Sequence, residues 1–80
     1  MDIEENLFVS KDLYLCSFLL ARNMGLVKTE KQGKIATFYF RNNKDLENLI
    51  SGFCDGTGMV EGLKFVESIR RLKNLIYNLK

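Results

Sequence analysis

The chain has 80 residues, room for one small domain of about 9.3 kDa. Apolar residues make up 46% and charged residues 28%, so a packed core is expected and disorder is not. The net charge is only +2 and there is no His, which removes the commonest general base, the commonest transition-metal ligand and any Ser–His or Cys–His nucleophile pair.

The chain opens Met1-Asp2-Ile3-Glu4-Glu5-Asn6, three acids and no cation, the reverse of a secretory leader. Apolar runs such as Phe18 to Ala21 are far too short to span a bilayer. The expectation is a cytoplasmic protein, with residues 1–8 a flexible N-terminal segment. The first periodic stretch runs from Lys11 to Asn23. Ser10 is placed to cap it, Val9 and Tyr14 to staple its start, and Asn23-Met24-Gly25 to stop it, with Gly25 taking the positive φ. This helix is apolar nearly all round. Leu13, Cys16 and Leu20 share one face, Tyr14 and Phe18 a second, Leu15 and Leu19 a third.

Two strand-like stretches follow, Leu26 to Glu30 and Lys34 to Phe40, joined by Lys31-Gln32-Gly33 as a short hairpin loop. Alternation puts Ala36, Phe38 and Phe40 on the core face and Ile35, Thr37 and Tyr39 on the other. Lys44 to Phe53 carries Leu46, Leu49, Ile50 and Phe53 at spacings of three, four and seven, an amphipathic helix. Cys54-Asp55-Gly56-Thr57-Gly58 reads as a loop, and Met59-Val60 is compatible with a short third strand. The last helix spans about Glu61 to Asn78, with Phe65, Ile69, Leu72, Ile76 and Leu79 stepping four, three, four and three; Val66, Leu75 and Tyr77 fall outside this seam.

Few residues invite chemistry. Asp55-Gly56-Thr57-Gly58 has the composition of a phosphate nest or an aspartic-protease turn, but lacks a second carboxylate and any following Gly-Lys-Ser/Thr, and reads as a connecting turn. Cys16 and Cys54 form no CxxC and cannot make a structural zinc site alone; both read as small buried hydrophobes in a reducing compartment. No catalytic residue, metal site or cofactor site is assigned. The last helix is basic, with Lys64, Arg70, Arg71, Lys73 and Lys80 against Glu67 alone. Of these, Lys64, Arg70 and Arg71 share the polar face and are the candidate nucleic-acid contacts, with Lys28, Lys31 or Lys34 in support. The stretch Lys34 to Phe40 would offer Tyr39 for base stacking, yet lacks the Gly and the aromatic spacing of an RNA-recognition strand.

Ser10-Lys11-Asp12-Leu13-Tyr14-Leu15-Cys16, a hairpin ending Phe38-Tyr39-Phe40, and Leu72-Lys73-Asn74-Leu75-Ile76-Tyr77 together resemble a family of small uncharacterised bacterial and phage domains. Its members open with a Ser/Thr-Asp-Leu-Tyr-Leu-Ala helix and close with a helix bearing Leu-Lys and a Tyr. The resemblance runs from about Val9 to Tyr77, with Cys16 where the family has Ala. It implies a bacterial or phage setting and supplies no activity, cofactor or site residue.

The expected architecture is a single α+β domain over residues 1–80, in the order helix, strand, strand, helix, helix, with a β-hairpin packed against helices. The expected function is a non-enzymatic protein-interaction module that self-associates as a homodimer. Tyr14, Leu15, Phe18 and Leu19 form its contact, because the first helix has more apolar faces than so few elements can cover. A small nucleic-acid-binding protein is the alternative. A membrane partner is not expected.

Overall fold

Strand β3 (Ile35–Arg41) organises the molecule because its β-branched and aromatic residues alternate between two unlike environments. The computed structural model describes residues 7–79. In chain order these form β1 (Leu7–Ser10), α1 (Leu13–Ala21), β2 (Leu26–Gln32), β3, α2 (Leu46–Asp55) and α3 (Gly62–Asn78). β3 is the middle strand, antiparallel to β1 on one side and β2 on the other. β1 and β2 therefore run parallel with β3 between them. Parallel strands need a crossover, and α1 is that crossover, making a split β-α-β unit.

The third strand is β1. Met59-Val60, compatible with that role by sequence, carries no strand. Leu7 and Phe8, read as flexible, belong to β1, paired with Arg41 and Phe40; the rest of that segment lies outside the described residues. The hairpin is tighter than the expected three-residue loop. Gln32 pairs with Ile35, leaving Gly33-Lys34 as a two-residue turn with Gly33 at φ 60, the first central position of a type II′ turn. A bulge between Leu26 and Lys28 leaves Val27 without a register partner.

α1 starts two residues later than Ser10 would set it. Ser10 is still paired in the sheet with Phe38, and its hydroxyl accepts from the Asp12 amide. Asp12 is the cap, its carboxylate accepting from the Tyr14 and Leu15 amides at 3.0 and 3.1 Å. The helix ends in a Schellman arrangement, Asn23 amide to Leu20 carbonyl and Met24 amide to Leu19 carbonyl, both 3.0 Å. The left-handed residue is Asn23 (φ 67), not Gly25.

The helices cover one face of the sheet. Phe38 and Phe40 are fully buried there, with Phe8, Leu26 and Ala36 packed around them. α1 lies at the centre, with Leu72 of α3 and Leu46 of α2 in the same cluster. Phe18 meets Phe53 of α2 with ring centroids 5.3 Å apart. The Ser17 hydroxyl, buried in this apolar setting, is satisfied by the Leu13 carbonyl at 2.7 Å.

The α2–α3 connection is largely exposed but makes one close approach to the core, at Gly58. Gly56 ends α2 in the left-handed region, φ 82. Gly58 then donates to the Gly52 carbonyl at 2.8 Å. A Cβ on Gly58 would stand 2.9 Å from Phe18 Cζ and 3.0–3.1 Å from the backbone of Gly52 and Phe53, whereas one on Gly62 meets nothing within 4 Å. Gly58→Ala is expected to destabilise the fold by about 1–3 kcal/mol. Gly62→Ala, at a compatible helical position, is expected to leave it unchanged or raise stability by up to about 1 kcal/mol. Chemical denaturation of the two variants checks the pair.

Candidate interaction surfaces

The proposed α1 contact does not exist as a surface. Leu15 is 8% exposed, Phe18 2% and Leu19 0%, all enclosed by α2, α3 and the sheet of the same chain. Tyr14 alone of the four is exposed, at 58%. The apolar faces of α1 outnumber its neighbours in sequence, but two later helices converge on it and the sheet takes the third side.

Among the described residues, what is left uncovered is the other face of the sheet. By the pleat, residues opposite in phase to Phe38 and Phe40 point away from the helices. They are Ile35, Thr37, Tyr39 and Arg41 on β3, Leu7 and Val9 on β1, and Lys28, Glu30 and Gln32 on β2. Ile35 is 55% exposed and Val9 48%. Tyr39 donates its hydroxyl to Glu30, whose other carboxylate oxygen is 3.6 Å from Lys28 Nζ; that ammonium sits 4.6 Å from the Tyr39 ring centroid. The Tyr39 hydroxyl, and then Lys28, hold the Glu30 carboxyl below its usual range, and Glu30 in turn pushes the Tyr39 phenol up. One face of the Tyr39 ring is thus covered by Lys28, a poor arrangement for stacking a base.

The basic candidates divide. Lys28 lies on the open sheet face, whereas α3 packs under the opposite face, so the sheet separates Lys28 from Lys64, Arg70 and Arg71. Lys31 pairs with Ala36 on the helical side and Lys34 sits in the hairpin turn. Lys64 and Arg71 share a shallow depression with Ser68, Glu67 and Asn23. Arg70 lines a neighbouring depression, with Arg71 and Asn74. Glu67 and Arg71, spaced for a helix ion pair, form none; Lys28–Glu30 is the one ion pair among the described residues.

The Asp55-Gly56-Thr57-Gly58 segment is closed on itself. Asp55 accepts from the Thr57 amide at 3.0 Å and from its hydroxyl at 2.6 Å, which holds the carboxyl below its usual range. Gly58 packs against Phe18, and the segment is a connecting turn. Among the described residues no three His, Cys, Asp or Glu converge as a metal site, and no helix is long and apolar enough to cross a membrane.

The two thiols differ. Cys16 is fully buried, and Cys54, expected to be buried, is exposed near the end of α2 beside exposed Asp55 and Gly56. Burial pushes the Cys16 thiol up to about 11; a hydrogen bond with Ser10 lowers it and the Asp12 charge raises it. A thiol reagent is expected to titrate one Cys in the native protein and two in denaturant. The raised Cys16 pKa also fixes a sign. The unfolded chain loses this proton near pH 9 and the folded one near 11, so stability is intact below pH 9 and declines as pH rises through that interval. Cys16→Ala removes this alkaline loss, which denaturation at a series of pH values would show.

No curated protein and no solved structure matches the chain. Residues 5–78 match DUF5659, a family described as a domain of unknown function, and the chain belongs to that family.

Proposed function

We propose that the protein is a non-enzymatic interaction module that self-associates as a homodimer through the open face of its sheet. The observation that supports this is the uncovered layer itself. Ile35 and Val9 expose branched apolar side chains on a face that no helix of the same chain overlies. A chain of this size draws only a few kcal/mol from its own core, so burying such a face against a second copy is a natural supplement. An isologous contact must complement itself, and this face carries both Lys28 and Glu30 around its apolar centre. The unpaired Cys16 and Cys54 fit a reducing, cytoplasmic setting. Sedimentation velocity across the micromolar range is expected to show a concentration-dependent dimer. Ile35→Lys and Val9→Lys should leave the far-UV spectrum unchanged and yield only monomer. A wild-type protein that stays monomeric throughout would reject the reading.

A second reading, nucleic-acid binding through α3, is favoured by Lys64 and Arg71 facing one depression with Arg70 alongside. Phosphate-driven binding weakens steeply with salt. For about three phosphate contacts, the slope of log K against log salt is about −2 to −3. A gel shift with that slope, reduced by about one in Arg71→Gln, would support it; no shift at low salt would remove it.

A further inference from the structure

Ser68 stands apart from the other polar residues of α3. It is 8% exposed, yet its side chain opens into the depression between α3 and the end of α1. The other buried serine, Ser17, donates back to a carbonyl one turn earlier. The Ser68 hydroxyl has no protein partner among the described residues. The hydroxyl opens to solvent inside the depression, where it can donate to a ligand.

Its neighbours are donors too. Lys64, Ser68 and Arg71 are spaced i, i+4 and i+7, which stacks them on one face of α3. Asn23, fixed in the left-handed region at the end of α1, lines the same depression. Lys64 and Arg71 make no ion pair among the described residues. Nor are they needed to satisfy the C-terminus of α1, because the carbonyls of Phe18, Leu19 and Leu20 already accept from the Arg22, Asn23 and Met24 amides. Glu67 is the one acid on the rim, so the depression keeps an excess of positive charge. Its volume of about 310 Å³ suits a small molecule rather than a polymer.

We propose that this depression binds a single phosphate group, free or as the monoester of a small molecule. Lys64 supplies charge, the Arg71 guanidinium a planar fork for two oxygens, and Ser68 with Asn23 the remaining donors. The site is independent of the sheet-face contact and does not use Arg70. It predicts a property of Glu67 that no structural role would give: removing this carboxylate strengthens the site.

The test is an amide NMR titration of the full chain with inorganic phosphate at low ionic strength, against a chloride control. Saturable shifts are expected, centred on Asn23, Lys64, Ser68 and Arg71, in the millimolar range typical of a small anion. Arg71→Gln should weaken binding about tenfold and Ser68→Ala several-fold. Glu67→Gln should tighten it, and Lys73→Gln, outside the depression, should change nothing. If Arg71→Gln does not fold, Lys64→Gln serves in its place. A mononucleotide 5′-monophosphate should shift the same amides; tighter binding than inorganic phosphate would assign the site to a monoester, and weaker binding to the free ion. Shifts that are absent, that chloride reproduces, or that survive unchanged in both Arg71→Gln and Lys64→Gln would overturn the proposal. So would binding of an oligonucleotide without terminal phosphates in the absence of any response to phosphate, which would assign the cations to a nucleic-acid backbone.

Discussion

The burial of α1 is the constraint on which the rest of the structure depends. A helix that carries Leu15, Cys16, Phe18, Leu19 and Ala21 around most of its circumference has little more than its Tyr14 side to turn toward water. In a chain of 80 residues the remedy is to place it centrally, with the sheet on one side and two further helices on the others. Each covering element then needs only one apolar face of its own. α2 provides Leu46, Leu49, Ile50 and Phe53, and α3 provides Phe65, Leu72 and Ile76. The close approach of Gly58 to Phe18 follows from the same requirement, since the connection between α2 and α3 has to pass over the helix without a side chain in the way.

Centring α1 exhausts the helical layer. With α1, α2 and α3 all on one side, no other described element covers the far face of the sheet, and this is where apolar and aromatic side chains reach the surface together. The same arrangement sets the electrostatics. α3 turns its seam inward and its cations outward, and the contact between α3 and the end of α1 sets Lys64, Ser68 and Arg71 beside Asn23. The molecule therefore has two unlike surfaces on opposite sides, one branched and apolar, one a small basic depression.

Most of the helices and the hairpin are legible in the residues because their signals are local. Leu46, Leu49, Ile50 and Phe53 repeat at helical spacing, and Phe38 and Phe40 alternate with Thr37 and Tyr39 at strand spacing. β1 was less legible: four residues are too few for a period-2 pattern, and only pairing with Phe38 through Arg41 makes Leu7–Ser10 a strand. Asp12 displaces Ser10 as the cap for the same reason, because the sheet holds Ser10 in an extended conformation. Of the proposed site residues, Lys64 and Arg71 were found by charge, but Ser68 and Asn23 were not, since neither is unusual until the fold brings them into one depression.

The amino-acid sequence by itself determined that α1 must be hidden and that β3 must separate an apolar face from a mixed one, because periodicity and polarity belong to each segment alone. What hides α1 was decided only in three dimensions. Whether Leu15, Phe18 and Leu19 meet a second molecule or the chain's own α2 and α3 depends on how elements distant in sequence pack, and packing energy is a property of pairs of surfaces rather than of either one.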